Sequence, residues 1–324
     1  MRALTQDSYG LDALAVREVP EPLPAKGQVL VRVSAAGVNP YDWHFAAGQP
    51  MIARPMMGGL GGPRPQVRGA DLSGVVVAVG PGVTAFAPGD EVFGFGAAGT
   101  FAERAVANAT RIAHRPVDLT HVEAAALPMA AVTALQFLRA AGLTAGQRVM
   151  ITGAGGGIGH FAVQIAAAWG AHVTGVCSTR NVAMVRELGA SDVIDYTRED
   201  VTAGEPRFDV VFTNAGRYPL RALGRVVVPG GLILTNDGSK AGLFGSMPDL
   251  LAAPLVSRFR PYRAMSVSAS ENAEDLAVLA RMVDGGVLLP IVSATYPLDR
   301  AVEAIRQVAG AGHARGKLVV TLFS

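Results

Sequence analysis

The chain has 324 residues, half of them apolar and 17% charged, with 28 basic and 26 acidic side chains for a net charge of +2. That length holds two buried cores at roughly 100–200 residues per domain, and the balance excludes a disordered polymer and, on global electrostatics, a strongly basic nucleic-acid binder. One cysteine, Cys177, excludes a disulfide framework and a multi-thiolate zinc site; with no apolar stretch after Arg2, it predicts a cytoplasmic protein.

Residues 1–120 read as short strands punctuated by Gly and Pro. Strand 29–33 follows a turn at 22–27, strand 74–79 stops at Pro81-Gly82, and strand 92–95 follows the turn at 88–91. This spacing predicts a small β-barrel. Residues 52–62, rich in Met, Gly and Pro, read as a loop, and 123–141 as helix interrupted at Pro128. Strands and helices then alternate: strands at 148–152, 172–177, 192–195, 209–212, 232–235 and 264–267, helices at 158–169 and 181–188. Continuous apolar strands in this rhythm predict an α/β fold, a doubly wound parallel sheet with helices on both faces. Residues 149–179 carry no Asp, Glu, Lys or Arg, and mean hydropathy is +0.32. Their glycines and a period that changes midway assign them to a buried core rather than a membrane span. Residues 243–263 read as an ordinary helix before the last strand, with a lid as the alternative. The stretch 271–324 holds two helices and two strands, around 294–296 and 318–320, and is expected to rejoin the first domain because the six-stranded sheet is already complete.

Thr152-Gly153-Ala154-Gly155-Gly156-Gly157-Ile158-Gly159 lies directly after a strand and before a helix. Read as A-x-G-x-x-G, Ala154, Gly156 and Gly159 take the dinucleotide-fingerprint positions. They give a tight turn, a missing side chain where pyrophosphate nears the backbone, and close helix–strand packing; Gly155, Gly157 and Ile158 complete the cradle. NAD enzymes usually carry an acid at the end of the second strand. Here that end reads Cys177-Ser178-Thr179-Arg180-Asn181, whose hydroxyls and guanidinium suit a 2′-phosphate, so NADPH (NADP+) is the expected cofactor. Asn214 and residues 236–238 follow the fourth and fifth strands, where an open sheet binds ligands, although turn formation explains them equally well.

With these residues in place the chain resembles the medium-chain dehydrogenase/reductase superfamily, in its zinc-free quinone oxidoreductase-like branch. The resemblance covers the whole chain: Gly37-Val38-Asn39-Pro40-Tyr41-Asp42, Gly69-Ala70-Asp71-Leu72-Ser73-Gly74, Pro88-Gly89-Asp90-Glu91-Val92-Phe93-Gly94, Ala126-Leu127-Pro128 with Thr133-Ala134-Leu135, the glycine loop, Ile194-Asp195-Tyr196 and Gly316-Lys317. It implies a GroES-like catalytic β-barrel domain from residues 1–120 and 271–324, an inserted Rossmann NADP-binding domain at 121–270, an active site in the cleft between them, and a homodimer. It also implies that Tyr196 helps hold the 2′-phosphate, that Met129 and Thr133 border the nicotinamide unless they only pack, and that Lys317 joins the cofactor-binding set.

In zinc-dependent relatives a cysteine stands at the position of Asn39 and a histidine at that of Ala70. Neither residue here supplies a thiolate, imidazole or carboxylate, so no zinc is expected. His114, His121, His160, His172 and His313 show no metal-like spacing. The relay hydroxyl and histidine of those relatives fall two and five residues after the cysteine, the offsets of Tyr41 and His44 from Asn39. Tyr41 or His44 is therefore a candidate proton donor, with Asn39 orienting a substrate carbonyl or ribose hydroxyl and Asp42 orienting backbone or His44. Solvent as proton source, and packing roles for Tyr41 and His44, stay open. The expected function is hydride transfer from NADPH to a quinone or α,β-unsaturated carbonyl compound, a small-molecule reaction with no nucleic acid or membrane partner. The alternatives are NADP-dependent carbonyl/alcohol interconversion and a non-catalytic NADPH-binding redox sensor.

Overall fold

Glycine and proline set the strand ends in the first third of the chain, because neither sustains a ladder. In the computed structural model, which describes residues 1–59, 62–63, 66–215, 218–236, 260–310 and 315–322, β1 (Arg2–Gln6) and β2 (Leu14–Glu18) pair antiparallel. The long strand β3 (Gln28–Val38) begins after Gly27, whose φ of 76° is left-handed. Asn39 caps α1 (Pro40–Ala47), with Pro40 at the first helical position, where its missing N–H costs nothing. After a short α2 (Arg54–Met57) come β4 (Asp71–Val79), β5 (Glu91–Phe95), β6 (Arg104–Asn108) and β7 (Ile112–His114), then α3 (His121–Ala125), opened by a capping box of Thr120 and Glu123. Pro128 starts the next helix, α4 (Pro128–Ala140), instead of kinking a continuous one.

The middle of the chain builds β8 (Arg148–Thr152), α5 (Gly159–Ala168), β9 (His172–Cys177), α6 (Val182–Glu187), β10 (Asp192–Asp195), β11 (Phe208–Thr213), α7 (Leu220–Leu223), β12 (Val227–Thr235) and β13 (Arg263–Ser266). The six strands form one parallel sheet in the order β10-β9-β8-β11-β12-β13. Residues of β8 and β11 such as Val149, Met150, Ile151, Val211 and Phe212 are fully buried, as a sheet covered on both faces requires. The order reverses between β8 and β11, and the strand ends there form the switch point at which such sheets take ligands. The uncharged stretch 149–179 is β8, the glycine loop, α5 and β9.

The remaining chain adds α8 (Ala273–Asp284), β14 (Val292–Pro297), α9 (Ala301–Ala309) and β15 (Lys317–Thr321). Strand β15 pairs antiparallel with β3, giving a sheet ordered β14-β15-β3-β4-β5-β7 with β6 also on β3. Its core includes Leu4, Val31, Leu72, Phe101, Leu318 and Val320. By contacts the chain divides into two compact units, Met1–Val132 with Ser270–Ser324, and Thr133–Ala269. Residues 60–61 of the 52–62 loop, 237–238, 243–259 and His313 lie outside the described residues. Among the described residues no helix is long and apolar enough to cross a membrane.

Candidate functional site

In the second unit the glycine loop can be tested position by position by asking what a side chain would meet. Gly153 has φ of 65°, which turns the chain tightly out of β8. A Cβ on Gly159 would sit 2.0 Å from the Gly153 carbonyl oxygen, so helix and strand pack there only without a side chain. A Cβ on Gly156 would stand 3.2 Å from Gly153 O, a tight contact but the only one within 4 Å among the described residues, so the loop is otherwise open there. One position closes packing and the other keeps space for a ligand, the division of labour a pyrophosphate cradle needs. Ala154 is buried, its N–H bound to Val176 O at 2.9 Å, and Gly155 lies against the Asn181 side chain, whose buried Oδ1 has no hydrogen-bond partner among the described residues. Gly157 and Ile158 lead into α5. At the switch point Thr152 Oγ1 donates to Ala215 O at 2.6 Å and accepts from the N–H groups of Asn214 and Ala215, while Asn214 Oδ1 accepts from Asn236 Nδ2 at 3.0 Å. Thr133 is buried in this unit, on α4.

Beyond β9, Ser178 is half-buried and Thr179 and Arg180 are exposed; Tyr196 is half exposed after β10. Parallel pairing sets Asp195 beside Cys177, so an acid does reach this strand tip, from the neighbouring strand rather than from β9. Its carboxylate accepts from Thr179 Oγ1 at 2.5 Å and from Thr197 Oγ1 and N at 2.7 and 3.0 Å. Those hydrogen bonds, Thr179 first, hold it below the usual carboxylate range. Burial pushes the Cys177 thiol up to about 11, which makes it inert at neutral pH.

In the first unit the pairing of β15 with β3 sets Leu318 opposite Val38, and therefore Lys317 beside Asn39. Strand β4, on the other side of β3, begins with Asp71. Lys317 Nζ donates to Val38 O at 3.1 Å and to Asn39 Oδ1, and stands 3.6 Å from Asp71 Oδ2. Asn39 Nδ2 donates to Asp71 Oδ2 at 2.8 Å, and Met129 N donates to Asp71 Oδ1 at 3.1 Å. The Asn39 N–H donates to Asp42 Oδ2 at 2.8 Å. Asn39, Asp42, Asp71 and Lys317 are each 3% exposed or less. Gly37 admits Asp71: a Cβ there would stand 2.9 Å from Asp71 Oδ2 and 2.3 Å from Ala125 O.

Burial raises Asp71 and lowers Lys317, and their mutual attraction opposes both. Asp42 is pushed up to about 7 by burial, against the stabilising Asn39 N–H, and its Oδ1 has no hydrogen-bond partner among the described residues. Arg68, buried with its guanidinium 4.6 Å over the Phe45 ring, is lowered to about 10 by the same desolvation. Tyr41 is 47% exposed, 5.5 Å from the Phe45 ring, with its phenol raised by partial burial and then by Asp42. The His44 ring lies edge-on to Trp43 at 4.1 Å. The structure thus brings Asn39 and Lys317 together, with Tyr41 and His44 on the helix that Asn39 caps. Asp71, Arg68, Asp195 and Asn181 escape a sequence reading, although an acid opening the apolar run Leu72-Ser73-Gly74-Val75-Val76 and a lysine opening Leu318-Val319-Val320 are buried charges that call for partners.

A doubly wound sheet with a dinucleotide loop, carried with a largely antiparallel β-unit, defines a dinucleotide-binding protein of two units. Residues 25–117 match the alcohol dehydrogenase GroES-like domain and residues 188–320 the zinc-binding dehydrogenase family. A mitochondrial NAD(P)H oxidoreductase of Mus musculus is 33% identical over 91% of this chain and 82% of its own length. A chloroplastic quinone-oxidoreductase of Triphysaria versicolor is 32% identical over 99% of this chain and 98% of its own. The solved quinone oxidoreductase of Coxiella burnetii superposes with a TM-score of 0.87 at 29% identity, covering 100% of this chain and 99% of that one. The chain belongs to the medium-chain dehydrogenase/reductase superfamily, within its quinone oxidoreductase-like branch. It is an oxidoreductase served by a nicotinamide cofactor, for which the open position at Gly156 is a fitting cradle. For zinc the fit fails at the two positions tested: the Asn39 amide is engaged by Lys317 and Asp71, and Ala70 has no donor atom. Among the described residues no group of three or more His, Cys, Asp or Glu is placed to hold a metal ion.

Proposed function

We propose that this chain transfers hydride from NADPH to a quinone or α,β-unsaturated carbonyl compound without zinc. The observation that carries the reading is the glycine loop, open at Gly156 and closed by backbone at Gly159. When bound, the nicotinamide supplies the hydride. The chain supplies position and a proton. Ser178, Thr179, Arg180 and Tyr196 at the strand tip are the proposed holders of the 2′-phosphate. Negative charge on the substrate oxygen calls for a donor in place of a metal. The half-exposed Tyr41 phenol, an O–H donor on the first turn of α1, fills that role with His44 as the second candidate. A cytoplasmic location, supported by the lone buried thiol of Cys177, and a homodimer complete the reading; fractionation and light scattering test them.

Asp195 favours a second reading of the cofactor, because a carboxylate at the strand tip accepts from ribose hydroxyls and opposes a phosphate. Steady-state oxidation of NADPH and of NADH with 1,4-benzoquinone, an enone and a simple aldehyde decides among these readings. Faster turnover of the quinone or enone with NADPH is the expected result. Preference for the aldehyde would make the protein a carbonyl reductase, and binding without turnover of any acceptor would make it a sensor.

A further inference from the structure

We propose that Lys317 and Asp71 are positioning residues that hold the Asn39 side-chain amide in one orientation and thereby fix the first turn of α1, which carries Tyr41 and His44. The two ends of an amide differ chemically: the oxygen only accepts and the nitrogen only donates. Lys317, donor only, faces the Asn39 oxygen, and Asp71, an acceptor, faces its nitrogen. A flipped amide would set donor against donor and acceptor against acceptor inside a site from which water is excluded. Backbone joins this lock to the helix, since Asn39 N–H donates to the Asp42 carboxylate and Asp42 N–H donates to Asn39 O at 3.0 Å. Strands β15, β3 and β4 therefore meet at one side chain that starts α1. The Lys317 ammonium is spent on this lock, directed at Val38 O, Asn39 Oδ1 and Asp71 Oδ2, which takes it out of the cofactor-binding set. A buried ion pair adds little stability over apolar residues of the same volume, so the role of these charges is orientation.

The proposal rests on the reading that α1 delivers the proton. It is tested with the single variant Lys317→Met and the neutral-pair variant Asp71→Asn/Lys317→Met, which leaves no unpaired charge if the single variant fails to fold. The first readout needs no activity: hydrogen exchange of the Asn39 side-chain amide, assigned by its loss in Asn39→Asp, followed by 15N NMR in the protein without added cofactor. Exchange at least about tenfold faster in the neutral pair is expected, since the buried lock is lost. The second readout is kinetic: kcat for quinone reduction should fall by about 10- to 100-fold, the scale of a misplaced catalytic group, while the Kd for NADPH stays within about threefold. A neutral pair with wild-type amide exchange, or with wild-type kcat, overturns the proposal. So does a weakened NADPH Kd with unchanged kcat, which would return Lys317 to the cofactor. A wild-type protein that reduces no acceptor defeats the functional reading, and the amide exchange still decides the lock.

Discussion

Replacing Asp42 by Asn should remove a pH dependence of stability that the wild-type chain carries. The Asp42 carboxyl is 2% exposed, and burial holds its pKa at about 7 rather than the ordinary 3.8. The nearby Asp71 adds to the cost of ionising it, while the Asn39 N–H, Lys317 and Arg68 reduce that cost without cancelling it. Unfolded, the group ionises near 3.8, so between the two values the folded chain binds the extra proton and stability falls as pH rises. At 1.36 kcal/mol per pKa unit the whole effect is about 4 kcal/mol, of which about 3 kcal/mol falls between pH 5 and 8.5. Asp42→Asn keeps an oxygen for the Asn39 N–H but cannot ionise. Urea unfolding of both proteins across that range measures the difference between them, in which any constant cost of the amide cancels. The wild type should lose about 3 kcal/mol relative to the variant as pH rises. Parallel stability curves would refute the claim that Asp42 holds the proton.

The glycine loop makes a paired prediction. Gly159→Ala drives a Cβ to 2.0 Å from a backbone oxygen and should cost about 1–3 kcal/mol or more, read as a fall in Tm, whereas Gly156→Ala, whose Cβ stands 3.2 Å from the same oxygen, should lower Tm by clearly less and weaken NADPH binding at least about tenfold by filling the cradle. Tyr41→Phe combined with His44→Ala should lower NADPH-dependent quinone reduction by about 100-fold with the NADPH Kd unchanged; full turnover would make solvent the proton source. Asp195→Asn removes an anion from the strand tip and should raise the kcat/KM preference for NADPH over NADH by at least about fivefold, the value of a like-charge contact screened as in bulk water and hence a lower bound for the carboxylate of a residue only 8% exposed; an unchanged ratio would separate Asp195 from cofactor choice.

The sequence by itself determined the elements whose causes are local. The loop from Gly153 to Gly159, the apolar strands β8 and β11, and the proline that opens α4 all follow from a few neighbouring side chains and their backbone freedom. Family signposts in order along the chain carried the superfamily and the cofactor class. What only the tertiary structure decided are contacts between residues distant in sequence. Lys317 and Asn39 are 278 positions apart, and they meet because β15 pairs with β3 in one register. A slip of one residue would turn Lys317 to the other face. Asp195 likewise reaches the tip of β9 only through parallel pairing with Cys177, so an acid invisible in the second strand enters the cofactor question. The burial of Asp42 is a third such fact: nothing in Pro40-Tyr41-Asp42-Trp43 separates a solvated helix-start carboxylate from one enclosed with a neighbouring anion and two cations. Local sequence fixes backbone conformation, whereas the protonation and orientation of a buried polar group depend on which distant strands exclude water from it.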